Sequence, residues 1–285
     1  MLILDLNQVM ISNIMNQIGN HTNTEIEEDL VRHMVLNTIR SLLVKYKHEY
    51  GELVIACDDK KYWRKEFFPH YKANRKKTRD ASEVDWNAIF NCLNKIRDEL
   101  KTFFPYRVIQ VEGAEADDVI ATLVTKNGNV LNTGEKILIL SGDKDFVQLQ
   151  IYGNVKQFDP IRKKFIEHSD PQQFLKEHIL KGDSGDGIPN VLSPADTFVS
   201  GEKQRKLTQK RMDTMLNFVP AQHPQDIQAN FIRNQTLIDL SMVPERITTA
   251  ILNEYDKQSE KDRSQLMNYF INHRLKLLME HIGEF

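Results

Sequence analysis

The chain is short of the residues that build unusual folds. Of its 285 positions only two are cysteine, Cys57 and Cys92. Two cysteines cannot form a disulfide framework, which points to a reducing compartment. Twelve glycines and nine prolines make 21 of 285 positions, well under the usual share of roughly 12%. That excludes collagen and low-complexity linkers and speaks against a turn-rich β-sandwich. No apolar run approaches the ~20 residues of a membrane span, so no membrane association is expected. The opening Met1-Leu-Ile-Leu-Asp5 has no basic leader and meets an acid at once, unlike a secretory signal. An excess of either charge is missing too: Lys plus Arg number 38 and Asp plus Glu 40, for a net charge of −2. What remains is ordinary globular composition, 40% hydrophobic and 27% charged. At roughly 150 residues per domain it is enough for about two domains.

The balanced total hides sorted charge. Residues 60–79 carry nine basic side chains (Lys60, Lys61, Arg64, Lys65, Lys72, Arg75, Lys76, Lys77 and Arg79) against Glu66 alone. Residues 112–118 carry Glu112, Glu115, Asp117 and Asp118 with no base. A second basic block holds Lys203, Arg205, Lys206, Lys210 and Arg211. Blocks of this kind suit a basic binding face beside an acidic pocket, although solvated helix faces are the commoner origin of any one block.

Short apolar runs at Leu2–Leu6, Leu53–Cys57, Arg107–Val111 and Lys136–Leu140 read as strands. Helical periodicity separates them over Ile26–Lys47, Val84–Phe104 and Ala116–Lys126. This alternation predicts an α/β fold, a mainly parallel sheet with helices on both faces. Beyond the loop Lys181–Pro189 only helical stretches follow: Gln209–Phe218, Pro244–Tyr255 and Lys261–Glu280. The boundary falls near 170–180, giving an α/β domain over 1–175 and an all-helical domain over 176–285.

Three of the apolar runs lead into aspartates: Asp5, Asp58, and the pair Asp143 and Asp145. In open α/β sheets the carboxyl ends of the strands face the ligand crevice. Glu115-Ala-Asp117-Asp118 opens the helix after the remaining strand and reaches the same edge. Each acid taken singly also suits a turn or a helix N-terminus. Together they form a carboxylate pocket that repels itself unless a cation enters. Carboxylates without His or Cys ligand spacing favour Mg²⁺ or Mn²⁺, and two such ions are the arrangement for in-line phosphodiester cleavage. The nine histidines are scattered, which weighs against zinc. Asp183 and Asp186 lie three apart in a Gly-rich turn and can face one ion or simply shape the loop.

The segment Trp63–Arg75 starts beside these acids. Lys72, Arg75, Lys76 and Arg79 recur at three- and four-residue spacing, so a helix would align them toward phosphates. Trp63, Phe67, Phe68 and Tyr71 could stack on bases or pack in the core; packing is the commoner fate.

Four ordered motifs carry a resemblance: Trp63-Arg64…Pro69-His-Tyr-Lys-Ala-Asn-Arg75, Glu115-Ala-Asp117-Asp118, Ser141-Gly-Asp143-Lys-Asp145-Phe, and Lys181-Gly-Asp183-Ser-Gly-Asp186-Gly-Ile-Pro. Over most of residues 1–190 the chain resembles the 5′-nuclease (flap endonuclease) superfamily, and its phage replication members most. The resemblance implies a PIN-like nuclease domain with a helical arch near 60–80, a C-terminal helical DNA-binding domain and two Mg²⁺ ions, with Mn²⁺ as a substitute. It implies removal of RNA primers and 5′ flaps by exonuclease, flap endonuclease and RNase H action. Asp5, Asp58, Glu115, Asp117, Asp118, Asp143, Asp145, Asp183 and Asp186 match the family's acidic, metal-holding positions. Lys72 and Arg75 match its arch cations near the scissile phosphate, and Arg64 a further basic position of that catalytic set. Tyr71, Lys76, Arg79 and the block Lys203, Arg205, Lys206, Lys210 and Arg211 are the expected nucleic-acid contacts. Implied partners are branched or nicked duplex DNA and RNA–DNA hybrids, with a phage single-stranded-DNA-binding protein and a sliding clamp; a monomer in the cytoplasm of a bacterial host is expected. Where cellular members have a Gly-x-Gly–Lys turn after Gly-Ile-Pro, this chain has Val191–Val199. A PIN-type single-stranded ribonuclease and a catalytically silent DNA-binding scaffold are the alternatives.

Overall fold

The computed structural model describes residues 1–20, 27–82, 84–128, 134–217, 219 and 222–285, with only the backbone of 16–20 and 76–78. The expected helix limits Ile26 and Phe218, and the side chain of Lys76, lie outside the described residues.

The four apolar runs form β1 (Leu2–Asp5), β2 (Leu53–Ala56), β3 (Arg107–Ile109) and β4 (Ile137–Leu140). Two strands went unforeseen, β5 (Val155–Asp159) and β6 (Lys164–Ile166). The sheet order is β3-β2-β1-β4-β5-β6; only the edge strand β6 is antiparallel. β1 pairs in register with β2 (Leu2 with Leu53) and with β4 (Leu2 with Leu138). The central strands β1, β2 and β4 are almost wholly apolar because both sheet faces are covered there.

The pleat sorts their side chains into two cores. Leu2, Leu4, Leu53, Ile55, Leu138 and Leu140 face one way, against α2 (Glu28–Tyr50) and α5 (Trp86–Phe103). Ile3, Val54, Ala56, Ile137 and Ile139 face the other way, against α6 (Ala116–Asn127). A helix the sequence reading passed over, α1 (Leu6–Asn20), starts directly at the end of β1. The arch segment carries α3 (Trp63–Phe67) and α4 (Ala73–Asp80).

From residue 171 onward the chain is helical: α7 (Pro171–Lys181), α8 (Thr197–Ser200), α9 (Gln209–Met215), α10 (Gln225–Ile238), α11 (Glu245–Lys257), α12 (Leu266–Asn272) and α13 (Lys276–Met279). Two small cores serve α7, α9 and α10, one of them shared with Phe68 and Tyr71 of the arch segment. The last stretch returns to the α/β body. Ile247 and Ile251 of α11 join the α6 core, and Leu266, Tyr269, Phe270, Leu278 and Phe285 join the α2/α5 core. The expected division at 175/176 falls inside α7, and the packing runs across it. The single helix expected over Lys261–Glu280 is broken into α12 and α13. Arg274 takes a left-handed φ of 54°, Leu275 N–H donates to Phe270 O (3.0 Å) and Arg274 N–H to Ile271 O (3.1 Å). This is a Schellman ending with arginine where glycine is usual.

Candidate metal and nucleic-acid site

The strand order reverses between β1 and β4, and a crevice opens beyond the carboxyl ends there. It is a cleft of about 500 Å³ lined by Asp5, Asp58, Asp117, Asp143, Asp145, Asp183 and Asp186, with Lys72, Arg75 and Lys144 among them. Seven of the nine expected metal-holding acids thus meet in one place.

Each is aimed by backbone. Asp5 ends β1; its Oδ1 accepts from Gln8 N–H (3.1 Å) and its Oδ2 from the Ser141 hydroxyl (3.1 Å). Asp58 follows β2, accepting from Ala116 N–H (2.7 Å) and the Asn7 amide (2.5 Å). Asp117 stands in the first turn of α6. Asp143 caps a 3₁₀ turn, Lys144–Ile151, by accepting from Asp145 N–H (3.0 Å). The loop after α7 closes on itself through Asp183 N–H to Ile188 O (2.8 Å) and Ile188 N–H to Asp183 O (2.7 Å). Two of its glycines have positive φ and no room for a side chain. A Cβ at Gly182 would lie 2.4 Å from Ile188 O, and one at Gly187 2.9 Å from His70 O. The second contact seats the loop directly against the arch segment.

The acids resist ionising together. Burial, then Asp58 and Asp143 nearby, pushes the Asp5 carboxyl up to about 7. Burial and Asp143 push Asp145 up to about 7 and raise Asp117 well above the usual range. Asp58 is raised by burial, against the pull of Lys72. Asp183 goes the other way: burial opposes, but His178 and Lys144 beside it hold it below the usual carboxylate range.

The other two acids do not line the cleft. Glu115 and Asp118 form a capping box on α6, Glu115 N–H donating to Asp118 Oδ2 (2.9 Å). Both also bind one guanidinium: Arg64 Nη1 donates to Glu115 Oε2 (2.9 Å) and Asp118 Oδ1 (2.7 Å), and Trp63 Nε1 donates to Asp118 Oδ2 (3.1 Å). Asp118 is fully buried. Expected among the metal-holding acids, it does not reach the cleft lining and instead fixes the helix start.

The expected arch contacts divide as well. Lys72 reaches Glu115 Oε1 and stands 3.7 Å from Asp186 Oδ2, its own N–H donating to Asp186 O (2.7 Å) with φ at 56°. Burial would lower its ammonium, but Glu115 and Asp186 hold it above its ordinary value. Arg75 pairs with Asp186 and stays half exposed. Arg64 is 2% exposed with Nε on Leu237 O (2.9 Å), so it meets no phosphate; it positions Glu115 and Asp118. Tyr71 is also 2% exposed, its hydroxyl on Glu115 Oε2 (3.0 Å) and Asp186 Oδ2 (3.1 Å), which rules out base stacking. Trp63 and Phe68 are packed too, and only Phe67 of the four aromatics is exposed. Arg79 lies over the Phe90 ring, away from the cleft.

The second basic block is a different surface. Lys203, Arg205, Lys206, Lys210 and Arg211 are all exposed and none lines the cleft. The irregular run 202–208 is pinned where Arg205 N–H donates to Ser193 Oγ (2.9 Å) and Arg205 O accepts from Asn190 (2.9 Å).

Sequence reasoning missed three kinds of residue. Asn7, Gln8 and Ser141 orient the acids; their places just after β1 and β4 were the available signal. Ile161, in the β5–β6 turn, lines the cleft although 46% exposed. His178, dismissed among scattered histidines, stands between Asp145 and Asp183.

Cleft, fold and helical half together define a metal-site nuclease, and comparison with known proteins agrees. Residues 2–178 match the family described as 5′-3′ exonuclease, N-terminal resolvase-like domain, and residues 171–285 that described as T4 RNase H, C terminal. The chain belongs to the 5′-3′ exonuclease family, whose members are phosphodiester hydrolases. It is 33% identical over 294 residues to the Ribonuclease H of Enterobacteria phage T4, covering 99% of this chain and 95% of that protein. A Flap endonuclease Xni of Shewanella denitrificans is 33% identical over 153 residues, 50% of this chain and 56% of that one. Among solved structures, the T5 5′-exonuclease with divalent metal ions (zinc) bound has a TM-score of 0.65 at 20% identity, covering 91% of this chain and 99% of that one. The resemblance read from motifs within 1–190 therefore extends to the end of the chain. No helix among the described residues is long and apolar enough to cross a membrane.

Proposed function

We propose that the chain is a Mg²⁺-dependent, structure-specific 5′ nuclease that removes RNA primers and 5′ flaps in phage DNA replication, by 5′→3′ exonuclease and flap endonuclease action. The observation that carries this reading is the convergence of seven aspartates with Lys72 and Arg75 in one cleft at the strand-order reversal. The residues fit a cationic cofactor: the acids repel one another, and the buried Asp145 Oδ1 has no hydrogen-bond partner. Asp5, Asp58, Asp117 and Asp143 would hold one Mg²⁺, and Asp143, Asp145, Asp183 and Asp186 a second. Bound ions supply a water that ionises near neutral pH and charge that steadies the leaving oxygen.

The chain's own residues do the rest. Lys72 and Arg75, fixed on Asp186, present positive charge at the cleft lip, where a scissile phosphate gains charge as it is attacked. Arg64 and Tyr71 hold Glu115 so that Lys72 cannot swing away. Exposed Lys203, Arg205, Lys206, Lys210 and Arg211 suit the phosphates of nicked or branched duplex DNA and RNA–DNA hybrids. The test is to incubate 5′-labelled flap, nicked and RNA-primed duplexes with Mg²⁺ and map the products. Cleavage near the junction and from the 5′ end is expected, and Asp117→Asn or Asp143→Asn should abolish it while leaving binding near normal. Activity near wild type in those variants, or no preference for the branched substrates, would overturn the reading.

A further inference from the structure

His178 lies in the last turn of α7, 6% exposed, its ring edge-on to Phe174. Nδ1 is 3.4 Å from Asp145 Oδ1 and Nε2 is 3.4 Å from Asp183 Oδ2. Neither ring nitrogen makes a hydrogen bond, and neither does Asp145 Oδ1. Three polar atoms are thus buried side by side without partners, an arrangement that native structures seldom leave unexplained. One atom from each of Asp145, His178 and Asp183 lies within 4.8 Å of the other two. Asp183 Oδ2 is already engaged by Lys144 Nζ at 2.8 Å, so the wholly unengaged pair is His178 Nδ1 with Asp145 Oδ1.

We propose that His178 is a nitrogen ligand beside Asp145 and Asp183, making that position favour transition-metal divalent ions, for which Mn²⁺ is the probe, over Mg²⁺. This rests on the metal-nuclease reading above and adds a donor that the acids alone do not supply. Bonds of about 2.1 Å set 90° to 109° apart place two donors roughly 3.0–3.4 Å from each other, close to the separation seen. A ligating histidine usually directs its second ring nitrogen at a carboxylate, which fixes ring and tautomer; Asp183 Oδ2 stands where that partner belongs. Oxygen-only sites suit Mg²⁺, and one imidazole tilts the preference toward the first-row transition metals, of which Mn²⁺ is the weakest held.

The wild-type protein, loaded with Mn²⁺ and without nucleic acid, should show electron spin-echo modulation from a directly bound imidazole ¹⁴N. Labelling the histidines with ¹⁵N should shift those frequencies. His178→Gln, shown folded by its circular dichroism and thermal transition, should lose the signal. It should bind Mn²⁺ at least about tenfold more weakly by calorimetry, with Mg²⁺ affinity changed less than threefold. His178→Ala repeats the test should the glutamine variant fail to fold. If wild type binds Mn²⁺ with no nitrogen modulation, or if both variants keep the signal or the affinity, His178 is only a spacer between acids and the proposal is wrong. Flap cleavage in Mg²⁺ is read separately. Wild type that cleaves without a nitrogen signal overturns this inference alone, and wild type that binds Mn²⁺ through nitrogen but cleaves nothing overturns the nuclease reading.

Discussion

The two basic stretches are alike in composition and opposite in treatment. In the first, Arg64, Lys72 and Arg75 turn inward onto Glu115, Asp118 and Asp186. In the second, Lys203, Arg205, Lys206, Lys210 and Arg211 all face solvent, Arg205 no closer than 4.0 Å to Asp226. A run of cations is therefore not one kind of feature. Turned inward, it fixes the position of acids and of itself. Left outward, it remains a field that any polyanion can meet. The difference is set by neighbours: the first stretch follows β2 into the acidic cleft, whereas the second leaves a loop pinned at Asn190 and Ser193.

The comparison breaks hardest at Arg64. Removing a buried guanidinium leaves Asp118 buried without its cation and Glu115 with Lys72 alone, a change worth about 3–5 kcal/mol. Arg64→Ala should lower the unfolding free energy by that amount in urea titration, and Arg64→Lys should recover only part, lacking the two-pronged geometry. A loss under about 1 kcal/mol would mean that the inward pairing does not hold the cleft floor.

Lys72→Ala comes next. This cation is inward but at the lip, so its loss should fall on the chemical step. Single-turnover cleavage at saturating enzyme should slow by roughly 10²–10³-fold, while substrate affinity measured in Ca²⁺ changes little. A pure loss of affinity would move Lys72 into the outward class.

The inward cations are spoken for, which leaves Asp5 and Asp145 to their own repulsion. Both carboxyls rise from an ordinary 3.8 to about 7. The folded metal-free protein thus holds protons that the unfolded chain releases. That contribution to stability is complete below about pH 4 and is lost as pH climbs through 7. With chelator present, the melting temperature should fall between pH 5 and 8. Asp145→Asn should flatten the fall, and millimolar Mg²⁺ at fixed ionic strength should raise the melting temperature most at the high-pH end. A pH-independent melting curve would show the acids already neutralised by neighbours.

How much of this could be read beforehand differs from residue to residue. The four core strands and the aspartates at their ends were legible because buried parallel strands are apolar throughout and the acids interrupt them. β5, with Lys156 and Gln157 inside it, and three-residue β6 offered no such run. α1 begins the residue after β1 ends, so no turn marked it. The break at Arg274 carries no glycine or proline, and only the packing of Phe270 with Leu275 in one core shows why the chain turns there. The resemblance set Arg64 among the catalytic cations, and Tyr71 was expected as a nucleic-acid contact. Arg64, inside α3, and Tyr71, in the turn after it, both point into the protein, onto Leu237 O and Glu115. His178 was invisible for a different reason. Its partners lie 33 residues before it and five after it, a spacing that no linear motif encodes.

The smallest effect sharpens the outward class. Lys206 and Lys210 are exposed, lie outside the cleft and make no ion pair among the described residues. If each meets a duplex phosphate, removing it removes one counterion-release event and flattens the slope of log K against log salt by about 0.9. The double change Lys206→Ala with Lys210→Ala should therefore reduce that slope by roughly 1.8, weaken duplex binding most at low salt, and leave single-turnover cleavage at saturation nearly intact. The single changes should be additive, because exposed cations that share no partner act independently. Binding isotherms in Ca²⁺ at four or five salt concentrations decide it. An unchanged slope would mean that the duplex passes elsewhere. A slower saturated rate would mean that this surface, like Lys72, belongs to the chemistry.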